Sequence, residues 1–120
     1  MELIDKIEHV NLRPSVATIG FFDGVHKGHQ FLIQQIKDLA ESKGLASMAI
    51  TFAEHPRRVM QKEYQPQLLS TLEEKCSLLS QQSIDYTVLL HFTVEMSHLT
   101  AREFMKQVLL EQLNVRMLVI

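Results

Sequence analysis

One cysteine, four glycines, three prolines and no long apolar run: the sequence is first informative in what it has little of. Cys76 has no second thiol to pair with, so an intrachain disulfide is excluded and a reducing compartment is favoured. The opening segment MELIDKIEHV interrupts its apolar residues with Glu2, Asp5 and Glu8, which leaves no signal-peptide core. No later segment approaches the roughly 20 apolar residues of a membrane span, and TVLLHF and MLVI are only strand-sized. These absences predict a cytoplasmic protein without a membrane partner. Positive charge is also scarce. Twelve Lys and Arg against fourteen Asp and Glu give a net charge of -2, so no overall field attracts a nucleic acid backbone and any anion must be bound locally.

What remains is the composition of one soluble domain, 46% hydrophobic and 22% charged over 120 residues. SVATIGFF is apolar and β-branched, as in a strand buried on both faces of a parallel sheet. HQFLIQQIKDLAESKG follows with Phe31, Leu32, Gln35, Ile36 and Leu39 at helical spacing, Lys37, Asp38 and Glu41 left for water, and Gly44 as a left-handed stop. LASMAITF reads as the next strand. AEHPRRVMQKEYQPQ has no clean period, and Pro56 and Pro66 predict a long loop there. Ser70 with Glu73, or Thr71 with Glu74, makes a capping box for the helix LEEKCSLLSQQ. DYTVLLHF is a third strand. Thr100 and Glu103 cap AREFMKQVLLEQL, whose inward face takes Phe104, Val108 and either Leu109 or Leu110, and VRMLVI is a fourth strand. About four strands alternating with three helices predict an open parallel α/β sheet, with ligands beyond the carboxyl ends of the strands.

The twelve residues GFFDGVHKGHQF lie at such an end and hold three of the four glycines and two of the six histidines. A strand that turns into a helix leaves unpaired N–H groups and positive dipole potential at the helix start, where phosphate fits. Gly20 and Gly24 permit changes of direction around Asp23, and Gly28 lets an anion approach the backbone. His26 and His29, three residues apart, can donate ring N–H groups to one phosphate chain and so stabilise charge building on a phosphoryl centre and departing pyrophosphate. Plainer readings stand beside these. The glycines could be turn residues only; the histidines could be half of a zinc site with His55; and Asp23 could bond a backbone N–H rather than a magnesium ion. No metal ligand is assigned. Phe52, at a strand end, could stack on an aromatic ligand or sit in the core, and Arg57 and Arg58 could bind phosphate or be a solvated pair.

TIGFFDGVHKGHQ resembles the signature of the FMN adenylyltransferase module of bacterial FAD synthases, the bifunctional riboflavin kinase/FMN adenylyltransferase family, with its H-x-G-H motif at His26, Gly28 and His29. TFAEHPRRVM, LLSTLEEK and FTVEMSHLTAREF resemble further family segments in the expected order, although Glu54 replaces the proline common two residues before Pro56. The resemblance implies a Rossmann-like nucleotidyltransferase topology and transfer of AMP from ATP, with Mg2+, to FMN, giving FAD and pyrophosphate. By motif position it implies catalytic roles for His26 and His29 and a nucleotide cradle shaped by Gly20, Phe21, Phe22, Asp23, Gly24 and Gly28. Phe52, His55, Pro56, Arg57 and Arg58 fall on the FMN side. It implies that residues 1–120 are the N-terminal portion of a truncated adenylyltransferase domain, poorly active alone. A G-x-D-F-x-F-G segment, a second nucleotide-binding motif and a riboflavin kinase domain would follow in the full-length protein. The alternatives are another H-x-G-H nucleotidyltransferase, such as a CTP user, and a non-catalytic phosphate-binding α/β module.

Overall fold

A computed structural model describes residues 1–8, 10–22, 27–53 and 72–120. In chain order its elements are β1 (Glu2–Ile4), β2 (Ser15–Ile19), α1 (Lys27–Lys43), β3 (Ala46–Phe52), α2 (Leu72–Ser80), β4 (Tyr86–Leu90), α3 (Val94–Ser97), α4 (Ala101–Phe104) continuing as π-helical turns over Met105–Gln112, and β5 (Val115–Leu118). The five strands form one parallel sheet in the order β1-β4-β3-β2-β5. The expected open parallel α/β sheet is therefore present, with one strand more than the four predicted. The extra strand is β1, whose three residues pair with Tyr86, Thr87 and Val88. Its charged neighbours hide so short an element from a pattern reading.

Strand order matters for function. From β2 the sheet grows one way through β3 to β4 and the other way to β5, so the chain reverses direction between β2 and β5, the switch point at which open α/β sheets bind ligands. Both faces are covered. On one, Val108, Leu109 and Leu113 from the last helix pack with Met48, Ile50, Val88 and Leu90 of the central strands. On the other, Ile36 and Ala40 of α1 lie on Val16, while Ile33, Leu79 and Ile84 enclose Phe22 and Ala49. β4 is buried along its whole length and β3 along all but its last residue, Phe52, which explains their near-continuous apolar sequences.

The inward stripe of α1 differs from the one read from the sequence. Ile33, Ile36 and Ala40 are buried, whereas Gln35 is exposed and Phe31 is 68% exposed. Both stripes are helical; packing on β2 selects the one that meets Val16. Gly44 does end the helix with φ 68°, and the N–H groups of Gly44 and Leu45 return to the carbonyls of Glu41 and Ala40. In the last helix the open choice falls to Leu109, since Leu110 stays 42% exposed. A π-type bond from the Leu113 N–H to the Val108 carbonyl puts these two residues on one face, together with Leu109. The predicted caps Ser70 and Thr71 lie outside the described residues.

The other capping box forms as read. The Glu103 N–H donates to Thr100 Oγ1 at 3.1 Å and the Thr100 N–H donates to Glu103 Oε1 at 2.9 Å. These bonds to Thr100 hold the Glu103 carboxyl below its ordinary pKa. A carboxyl lowered in the folded state stabilises above its unfolded pKa, and that contribution disappears as pH falls through the folded value. Thermal melts of the wild type and Glu103→Gln should therefore differ most at neutral pH and converge in acid below the ordinary glutamate range. A gap independent of pH would remove the carboxylate from the cap.

Candidate active site

Three phenylalanines meet where the central strands run out. Phe21 follows β2, Phe52 ends β3 and Phe92 lies just past β4, with ring centroids 5.3 Å apart for Phe21–Phe52 and 6.1 Å for Phe52–Phe92. Parallel pairing of adjacent strands brings their carboxyl ends side by side, and the three side chains make an aromatic line across that end of the sheet. Phe21 is 38% exposed and the other two are half-buried, so the line offers ring surface to a ligand. Phe52 packs against the core, the plainer of its two sequence readings. Phe92 was not singled out from the sequence. The signal that drew attention to Phe52, an aromatic closing an apolar strand, is equally present in LLHF.

The turn between β2 and α1 is anchored from β3. The buried Thr51 hydroxyl donates to the Phe21 carbonyl at 3.0 Å, and the Gly20 N–H donates to the Ile50 carbonyl at 3.0 Å. Gly20 has no left-handed backbone, and a Cβ placed there would meet the Phe22 ring at an ordinary 3.5 Å. The left-handed position is Phe22, with φ 52°. The expected freedom at Gly20 is thus not what reverses the chain. Phe22 is 1% exposed and its ring fills the core under α1, so it shapes the cradle from below and not as a lining group.

Its function reaches the surface through His29. The two rings stand edge to face, with centroids 5.2 Å apart and planes at 69°. That contact limits the orientations of an imidazole on the first turns of α1. One residue before it, Gly28 is exposed, and a Cβ there would find no atom within 4 Å. Among the described residues nothing crowds that side of the helix start. Asp23, Gly24, His26, His55, Pro56, Arg57 and Arg58 lie outside the described residues.

Among the described residues no group of three or more His, Cys, Asp or Glu side chains could hold a metal ion, and no helix is long and apolar enough to cross a membrane. Among the described residues this end of the sheet brings together the start of α1, the His29 imidazole and the Phe21, Phe52 and Phe92 rings.

Residues 8–120 match the family described as FAD synthetase. The chain is 32% identical over 123 residues to a bifunctional riboflavin kinase/FMN adenylyltransferase of Escherichia coli, covering all of this chain and 39% of that protein. Proteins of the same description from Bacillus subtilis and Listeria monocytogenes are 35% and 38% identical over 85% and 74% of the chain, which spans 32% and 29% of them. The chain thus spans about two fifths or less of these relatives. A crystal structure described as a macrolide-efflux protein from Streptococcus pneumoniae superposes with a TM-score of 0.83 at 26% identity, covering 99% of this chain and 40% of that one. That likeness concerns the backbone, and the efflux named there is a statement about that protein.

Proposed function

The chain belongs to the FAD synthetase family, and on that premise we propose that the full-length protein carrying it transfers AMP from ATP to FMN, forming FAD and pyrophosphate. The observation that carries this reading is the adjacency of two unlike features at one end of the sheet. An open helix start with a braced imidazole lies beside a line of aromatic rings, as a substrate with a phosphate at one end and a flat ring system at the other requires.

The reaction is a displacement at phosphorus. An oxygen of the FMN phosphate attacks the α-phosphorus of ATP, a new P–O bond forms, and the bond from the α-phosphorus to the oxygen bridging to the β-phosphate breaks to release pyrophosphate. The first N–H groups of α1 bind phosphate oxygens, and the open side at Gly28 lets them approach. His29 donates a ring N–H to oxygen on which charge accumulates, and its bracing by Phe22 means that little reorganisation accompanies the step. His26, by its place in the motif, acts on the same phosphate chain. Phe52 and Phe92 stack on the isoalloxazine ring, and His55, Pro56, Arg57 and Arg58 complete the FMN side. Magnesium, when it accompanies the nucleotide, would supply positive charge to the polyphosphate and would take its ligands mainly from phosphate oxygens and water, with no side chain assigned to hold it. We place a riboflavin kinase domain after this module in the full-length protein, following the two activities in the relatives' names.

Incubating the full-length protein with FMN and either ATP or CTP tests the reading. FAD and pyrophosphate should appear in equal amounts with ATP, with quenching of flavin fluorescence, and neither should appear with CTP. Turnover with CTP alone would assign the site to a different nucleotidyltransferase; binding of ATP without pyrophosphate release would make it a phosphate-binding module.

A further inference from the structure

Thr51 stands fully buried near the end of β3, directly after the apolar Met48, Ala49 and Ile50. Valine has almost the same shape and suits a strand equally well, whereas a buried hydroxyl costs stability unless it is bonded. Packing alone does not call for threonine here, and the hydroxyl has a specific partner in the Phe21 carbonyl, to which it donates at 3.0 Å. A second buried threonine gives the contrast. Thr18 pairs with Ala49 in the β2–β3 ladder and so faces the same side of the sheet as Thr51. Among the described residues its hydroxyl has no partner.

The bonded carbonyl belongs to the peptide between Phe21 and Phe22, whose orientation sets φ at Phe22. That angle is 52°, in the left-handed region that a bulky side chain rarely adopts. Conformations of this kind persist where the surroundings fix them. Two constraints do so here. The core encloses the Phe22 ring, and Thr51 holds the peptide plane in front of it. Releasing that plane lets the backbone relax toward negative φ and turns Phe22 relative to α1, which disturbs the edge-to-face contact that orients His29. On the other side of the same peptide, the Phe21 ring meets Phe52, the neighbour of Thr51 in β3.

We infer that Thr51 is a positioning residue for the transfer step: its hydroxyl holds the Phe21–Phe22 peptide in the orientation that presents His29 to the phosphate chain. The inference rests on the reading of the chain as an FMN adenylyltransferase, and it gives Thr51 no contact with either substrate. Its effect on rate passes through two contacts, hydroxyl to carbonyl and ring to ring. A misplacement of about 1 Å at a catalytic group is enough to slow a reaction strongly.

Steady-state FAD formation by the full-length protein tests this in Thr51→Val, Thr51→Ser, Thr18→Val and the double variant Thr51→Val with His29→Ala. Thr51→Val should lower kcat about tenfold, and Thr51→Ser, which keeps the hydroxyl, should stay within about threefold of wild type. In the His29→Ala background the same valine should cost less than about twofold, because the group it misplaces is gone. Thr18→Val changes the same face without breaking a bond and should leave kcat within about twofold. Melting curves of every variant refer the rates to folded protein. Wild-type rate in Thr51→Val, an equal loss with and without His29, or an equal loss in Thr18→Val overturns the positioning role while the proposed reaction stands. Absence of FAD formation by the wild type overturns both. If Thr51→Val does not fold, Thr51→Ala takes its place in the cycle; if neither folds, the bond is a requirement of folding and the inference is overturned.

Discussion

Replacing His29 with alanine in the full-length protein should lower the rate of FAD formation by about 10²–10³-fold, the usual loss when a donor fixed on developing transition-state charge is removed. The ring is half-buried and meets Phe22 edge to face, a contact worth about 0.5–1.5 kcal/mol, so thermal unfolding should move by a few degrees. The expected signature is a collapse of kcat with a nearly unchanged melting curve. His29→Gln keeps a donor near the same place and should recover part of the rate. Activity within threefold of wild type for the alanine variant would exclude the imidazole from the chemistry, whatever its position in the motif.

Phe22→Ala should produce the opposite signature, a loss of stability first. The side chain is fully enclosed by Ile33, Ala49, Leu79 and Ile84, and deleting a buried phenyl ring costs about 3–5 kcal/mol through lost transfer energy and the cavity left behind. Domains are stable by only about 5–15 kcal/mol, so a large share of the margin goes. The left-handed backbone at this position does not soften the effect, because alanine at φ 52° is strained as phenylalanine is. Urea denaturation should show a lower midpoint with an unchanged slope, and Phe22→Leu, which keeps most of the volume, should recover most of the loss. The folded fraction of Phe22→Ala should also turn over more slowly, since His29 has lost the ring that orients it. A destabilisation below about 1 kcal/mol would mean that the ring does not fill the core as described.

These two residues show how far the sequence could be read. Both fall in the stretch that the glycine and histidine spacing marked out, His29 assigned to catalysis and Phe22 to the nucleotide cradle. For His29 the structure gives a half-buried ring on α1 against Phe22. For Phe22 it gives a place in the core, which the spacing did not reveal. Whether a residue in a turn faces ligand or core depends on what packs from elsewhere in the chain, and the groups enclosing Phe22 come from α1, β3, α2 and the segment before β4. The same limit applies to α1, where two stripes were equally helical and contact with Val16 selected Ile33, Ile36 and Ala40.

From the sequence alone came what is set within a few residues. The alternation of strands and helices, the left-handed stop at Gly44 and the Thr100–Glu103 box all arise from local backbone preferences and bonds between near neighbours. The tertiary structure decided what requires distant segments to meet. It added β1 to the edge beside β4, set β5 against β2 to make the switch point, and brought Phe21, Phe52 and Phe92 into one line. Strand order is fixed by the joint burial of both sheet faces, a property of the whole core that no window of the sequence contains.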